Sequence, residues 1–328
     1  METFAFARPS DLAGVLAAIA EPGALPIAGG TELLNWMKEG IVVPRRLIDI
    51  NRLAGLDAIE VGPDGLRIGA LARMSDVARH ESVRRDYPVI AEALLRSASQ
   101  QLRNMASLGG NLLQRTRCPY FRAEVDLACN KRRPGSGCAA LEGEDRSLAI
   151  FGGSDACIAT HPSDVAVAFA ALDAVVEVRS RSSARTIPLS QFYRLPDSAP
   201  ERETTLEPGE LVVAIVVPAS RLAGRSHYLK VRERASYEFA LVSAAVAVDL
   251  DGDRIGEARL ALGGVAPMPW RLPAAEARLR GASLERSALR AAIEDGFVDA
   301  QPRKHNGFKV ELAKRTIVRA LQTAGGVA

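Results

Sequence analysis

Gln101 to Cys118 reads QLRNMASLGGNLLQRTRC, and Ser154 to Asp164 reads SDACIATHPSD. Between these two stretches lie all the cysteines of the chain: Cys118, Cys129, Cys138 and Cys157. The glycine pair Gly109-Gly110 stands just before the first of them, and Asp164 just after the last. Glycine pairs allow close backbone approach, and Asn111 adds an amide side chain that both donates and accepts. The segment therefore reads as a metal centre inserted between two halves of a nucleotide-cofactor site.

The spacing is Cys-x10-Cys-x8-Cys-x18-Cys, with no close pair. Zinc sites usually show one. Separated thiols suit an iron–sulfur cluster wrapped by a loop. A zinc site and four unrelated reduced cysteines remain alternatives. From Arg115 to Arg133 the cations Arg115, Arg117, Arg122, Lys131, Arg132 and Arg133 face only Glu124 and Asp126. Such a surplus is expected to offset thiolates and lower their pKa.

A second glycine turn lies about eighty residues upstream, in LPIAGGTELLNWMKEG (Leu25–Gly40). A strand end, a tight turn and a helix start expose backbone N–H groups together, an arrangement that binds phosphate. It is not GxGxxG, so no Rossmann fold is implied. Around it, Ser10 is expected to cap a helix over DLAGVLAAIA, and RRLIDI and GLRIGALA read as strands. Ser75 and YPVIAEALLRSAS open further helices. GELVVAIVVP reads as a strand with one buried face. Asp164 has a bland role as the N-cap of the helix after HPSD and a sharper one as a partner for a cofactor hydroxyl. His161, beside Pro162, reads as structural. From Arg225 onward, two strands joined at Asp251-Gly252 form a hairpin, and two amphipathic helices follow. Lys230 interrupts an apolar alternation, so it either points into a site or snorkels at an edge.

With 328 residues the chain is long enough for about two domains and a substantial core. A net charge of +3 gives no global pointer to nucleic acid. No apolar run approaches the ~20 residues of a membrane span. METFAFARPSDL lacks a secretory pattern, so the expected location is cytoplasmic, or periplasmic if a signal-bearing partner exports the assembly.

AGGTELL (Ala28–Leu34), QLRNMASLGGN, HPSD and LKVRERASYEFALVSAA (Leu229–Ala245), in that order, resemble the flavin-binding medium subunit of the molybdenum hydroxylases. This is the xanthine dehydrogenase and carbon monoxide dehydrogenase flavoprotein family, and the likeness covers nearly the whole chain. The cysteine-bearing insertion, with CNKRRPGSGCAALEG (Cys129–Gly143), is similar to the FAD/[4Fe-4S] subunit of bacterial aldehyde oxidoreductases. The resemblance implies an α+β fold: a two-subdomain FAD-binding fold of the vanillyl-alcohol-oxidase/PCMH type, then a C-terminal domain with a three-stranded antiparallel sheet and helices. It implies boundaries at 1–222 (subdomains about 1–55 and 56–222, insertion about 115–160) and 223–328.

By the same resemblance, Pro26, Ile27, Ala28, Gly29, Gly30, Thr31, Glu32, Leu33 and Leu34 would wrap the FAD pyrophosphate. Ser107, Gly109, Gly110 and Asn111 would hold its other side, Asp164 would bond a ribose or ribityl hydroxyl, and Lys230 would lie near the flavin ring. Cys118, Cys129, Cys138 and Cys157 would ligate a [4Fe-4S] cluster. Partners would be a molybdenum-cofactor large subunit and a [2Fe-2S] small subunit, in a heterotrimer or its dimer, with an external ferredoxin or quinone acceptor. No catalytic residue, nicotinamide signature or substrate base is expected in this chain. The competing class is a non-redox, zinc-stapled module that binds a phosphorylated ligand.

Overall fold

The computed structural model describes residues 1–327. The first body is a parallel sheet in the order β1-β3-β2, from β1 (Ala5–Ala7), β2 (Ala24–Ile27) and β3 (Arg46–Asp49), with α1 (Leu12–Ile19) and α2 (Leu33–Lys38). Asp11, not Ser10, caps α1, its carboxylate accepting from the Gly14 N–H at 2.7 Å.

The second body is an antiparallel sheet of β4 (Ile59–Gly62), β5 (Gly65–Gly69), β6 (Val175–Arg179), β7 (Ala184–Pro188) and β8 (Leu211–Pro218), ordered β4-β5-β8-β6-β7. Its helices are α3 (Met74–Arg79), α4 (Glu81–Asp86), α5 (Pro88–Arg96), α6 (Gln100–Met105), α7 (Leu108–Leu112), α8 (Asp164–Ala171) and α9 (Leu189–Phe192). Central β8 is buried on both faces rather than one. Val212 and Ile215 join the core of this body, while Leu211 and Val213 pack with Val15 and Leu16 of α1. The alternation changes parity at an irregularity in the β6–β8 pairing between Glu177 and Val178, and the one strand serves two cores. Ser75 caps nothing, because α3 begins one residue earlier, at Met74.

The third body holds β9 (Ser226–Val231), β10 (Val242–Asp251), β11 (Arg254–Gly263) and β12 (Trp270–Arg271), with α10 (Pro273–Leu279), α11 (Arg286–Ile293) and α12 (Phe308–Gly325). The sheet has four strands, not three, in the order β12-β11-β10-β9. The added strand is two residues long and sits in the proline-rich bend PMPWRLP, where no alternation could announce it. In β10, Val242, Val246 and Val248 pack into the core of the C-terminal helices, while Ala245 and Ala247 join the core that contains α5 and α8.

The cysteine insertion has one short 3-10 turn, Ala139–Leu141, and its own small core of Phe121, Ala140, Leu148, Ile158, Ala159 and the thiols. Far-off residues fasten it. The ammonium of Lys309 in α12 donates to the carbonyls of Ser147 and Leu148, each at 2.9 Å. Asn306 donates to Ala149, and the Gln301 N–H to Ile150.

Candidate functional site

A cavity of ≈ 820 Å³ opens between the turn after β2 and helices α6 and α7, bounded by β9 and the loop Arg234–Phe239. It is lined by Pro26 to Leu33, Ser107, Gly110, Asn111, Asp164 and Lys230, so the two distant glycine motifs do share one space. Two expected residues do not line it. Leu34 turns outward and is 36% exposed. Gly109 is buried against Ala70, and its N–H already donates to the Ala70 carbonyl at 2.9 Å.

The first turn is open toward this space. Among the described residues, the N–H groups of Gly29, Gly30, Thr31, Glu32 and Leu33 have no acceptor. Gly30 takes a left-handed conformation, φ +71°, which lets successive amides converge. Gly29 presses on the other motif: a Cβ there would lie 1.9 Å from the Met105 carbonyl oxygen. That carbonyl accepts from Arg73 Nη1 at 2.5 Å, and Arg73 Nη2 donates to Asn51 Oδ1 at 2.8 Å. Asn51 in turn donates to the Ala28 carbonyl at 3.0 Å. Arg73 and Asn51 thus join both glycine turns, a contact that local sequence signals did not reveal.

The second turn works differently from the first. Ser107 is the N-cap of α7, its hydroxyl accepting from the Gly110 N–H at 3.3 Å. Asn111 is pinned by the Ser163 hydroxyl, which donates to its Oδ1 at 2.6 Å.

Behind the cavity lies a buried charge pair. Lys230 Nζ donates to Asp164 Oδ2 at 2.9 Å, and their side chains are 1% and 7% exposed. Lys230 therefore points inward. Asp164 Oδ2 also accepts from the Ser97 hydroxyl at 2.9 Å, and Oδ1 accepts from the Tyr228 hydroxyl at 2.5 Å. Burial, then the adjacent Asp164 charge, pushes the Tyr228 pKa well up, which keeps it a donor. Ser163, not Asp164, caps α8, so the Asp164 carboxylate is free for this network. Because the lysine is paired, the site presents a dipole here rather than a net positive charge.

The four thiols are free and gather in the core of the insertion, with Cys129 facing Cys138 in an isolated antiparallel bridge. Two charge expectations fail. The cationic surplus is neutralised by acids from elsewhere in the chain: Arg115 and Lys131 by Glu203, Arg117 by Glu32, and Arg122 by Glu32 and Glu39. Cys118 and Cys157 are not acidified either. Burial pushes Cys118 up to about 12 and Cys157 up to about 11, so both are protonated at neutral pH.

Three buried nitrogens around the thiols lack a partner: Arg115 Nη2, Arg117 Nε and His161 Nε2. Arg117 and His161 line a small cleft together with Cys118, and Arg115 stacks over Phe121 at 4.6 Å. His161 packs on Tyr193, ring centroids 4.4 Å apart, and burial pulls its pKa down to about 4. It is a neutral core histidine, in keeping with the structural expectation.

This architecture, a cavity between two glycine turns followed by a helix-backed antiparallel sheet, has known counterparts. Residues 2–220 match the family described as the FAD binding domain in molybdopterin dehydrogenase. Residues 227–324 match the CO dehydrogenase flavoprotein C-terminal domain. The chain belongs to this family of FAD-binding oxidoreductase subunits. It is similar to the aldehyde oxidoreductase FAD-binding subunit PaoB of Escherichia coli K12, with 52% identity covering 99% of both chains. It is also similar to the carbon monoxide dehydrogenase medium chain of Hydrogenophaga pseudoflava, with 25% identity covering 98% of this chain and 96% of the relative. In fold it matches quinoline 2-oxidoreductase from Pseudomonas putida 86 at a TM-score of 0.77 and 23% identity, over 99% and 98% of the two chains. Family membership in an oxidoreductase overturns the non-redox reading. Among the described residues, no helix is long and apolar enough to cross a membrane.

Proposed function

We propose that this chain is the FAD- and [4Fe-4S]-bearing electron-transfer subunit of a molybdenum-dependent aldehyde oxidoreductase. Its partners are a molybdenum-cofactor large subunit and a [2Fe-2S] small subunit, and a ferredoxin- or quinone-like acceptor takes the electrons. The observation that carries the flavin site is the run of five open amides at one end of the cavity. The aldehyde assignment and the partners follow the likeness to PaoB over the whole chain. The chain divides, in this reading, at about residue 222, and its first part at about residue 55.

Gly29 to Leu33 would hold the FAD pyrophosphate through the open amides, which need no counter-cation of their own, and Pro26, Ile27 and Ala28 would line the approach to that turn. Ser107, Gly110 and Asn111 close on the opposite side. Leu34 supports the turn from below, since a Cβ on Gly30 would touch its Cδ1 at 3.0 Å. Gly109 acts as a spacer against Ala70. Asp164 and Lys230 fix the polar wall behind the ring. When bound, FAD accepts electrons singly and releases them singly or in pairs.

The cysteines fit a cluster better than a single ion. A zinc tetrahedron with Zn–S near ~2.3 Å needs closely set sulfurs, yet among the described residues no three cysteine sulfurs lie within 4.8 Å of one another. A cubane is held at four separate corners and needs them wider. Arg117, whose Nε is unpartnered, lines the cleft that contains Cys118 and would donate to sulfur there, a recognised control on potential. Cys118 and Cys157 would each have to give up a proton to serve as ligands, and burial, which raises their pKa values, opposes this when no metal is bound.

Two variants test the flavin site. Gly29→Ala forces its methyl into the Met105 carbonyl, and overpacking of this kind costs about 1–3 kcal/mol. Flavin affinity, read by fluorescence titration, is expected to fall roughly 10- to 100-fold; parent-like affinity would refute the wrapping role. Lys230→Met leaves the Asp164 carboxylate without its cation beside the ring. Its flavin midpoint potential is expected to drop while flavin content holds, and an unchanged redox titration would remove Lys230 from the electrostatics of the site.

A further inference from the structure

Glu32 stands in the phosphate-binding turn, where a bare carboxylate would repel a diphosphate. Its carboxylate is 13% exposed and fully engaged. Oε2 accepts from Arg117 Nη2 at 2.6 Å; Oε1 accepts from Arg122 Nη2 at 2.6 Å and from Trp36 Nε1 at 2.8 Å. Both arginines belong to the cysteine insertion and flank Cys118. The Cys118 carbonyl accepts from the N–H groups of Phe121 and Arg122, at 3.1 and 3.0 Å, so one turn sets both the thiol and the guanidinium of Arg122. Arg122 is held further by Glu39 and by the Thr116 carbonyl. Arg117 reaches both spaces: it lines the large cavity and the cleft that contains Cys118.

We infer that Glu32 is a positioning residue through which the cysteine insertion sets the phosphate-binding turn, so that flavin loading and occupation of the cysteine centre strengthen each other. Ordering Cys118 orders the two guanidiniums, which neutralise Glu32 and hold the turn with its amides facing the cavity. When the insertion loosens, Glu32 loses its cations and its negative charge returns to the place the diphosphate occupies. Coupling of this kind is reciprocal: what the centre adds to flavin affinity, flavin adds to retention of the centre. The coupling half rests on the cluster reading proposed above; the positioning half does not.

The test is a cycle on the full chain: parent, Cys129→Ser/Cys138→Ser, Glu32→Gln, and all three substitutions together. Flavin dissociation constants are measured by fluorescence, with iron and acid-labile sulfide assayed in each. Loss of the two thiols is expected to weaken flavin about tenfold with Glu32 intact and less than about twofold in the Glu32→Gln background. Equal losses in both backgrounds, or none in either, overturn the coupling. A merely structural glutamate would not produce that difference. Iron- and sulfide-free parent protein would sink the cluster reading and the coupling with it. Arg122→Gln still reads the positioning role separately, with an expected loss of about fivefold in flavin affinity; full affinity in that variant overturns it.

Discussion

Asp164→Ala is expected to cost about 3–5 kcal/mol of stability, because it leaves Lys230 charged and buried without a counter-ion. The lysine side chain is 1% exposed, and among the described residues its one other acceptor is the Arg96 carbonyl at 3.2 Å. The Tyr228 hydroxyl loses its Asp164 acceptor at the same time, while the Ser97 hydroxyl keeps the Ala93 carbonyl at 2.8 Å. For a chain of this size the melting temperature should fall by roughly 5–10 °C. Adding Lys230→Met should recover much of the loss, since the uncompensated charge is then gone. A single variant that melts within about 1 °C of the parent would show that the pair contributes nothing to the fold. Asp164→Asn should be milder, because its amide oxygen keeps an acceptor at one of the two positions that the carboxylate oxygens fill.

Cys138→Ser carries the other large effect. Cys138 is the half-buried thiol opposite Cys129, and serine is close to it in size, so the insertion keeps its packing. Iron and acid-labile sulfide per chain are expected to fall to background, while flavin still binds when supplied in excess. Unchanged iron would strike Cys138 from the ligand set. Zinc without sulfide in the parent protein would replace the cluster with a single ion.

What the sequence made legible was local. AGGT announces a tight turn from its own residues, and its open amides are where the strand–turn–helix reading puts them. The Asp251-Gly252 hairpin and the last helix were equally plain, the one from turn chemistry and the other from periodicity. Reading failed where the partner was distant. The basic run around the cysteines looked unbalanced because Glu32, Glu39 and Glu203 lie outside it and return only in the fold. Thiol acidity was misjudged for a related reason: with those cations paired, burial sets the pKa of Cys118 and Cys157. The fourth strand was hidden by its brevity. Ser163 and Asp164 are both good caps, and only the buried lysine decides which of them stays free to do something else.

The fastening of the insertion by α12 has a bearing on biosynthesis. Lys309 and Asn306 emerge from the ribosome about 160 residues after the carbonyls they grip at Ser147, Leu148 and Ala149. Until translation ends, that loop has its own small core and the neighbouring acids but no clamp from the C-terminal side. A chain cut short before residue 306 is therefore expected to carry its four thiols in a loop that nothing fastens from the C-terminal side, and to leave them open to whatever meets them first.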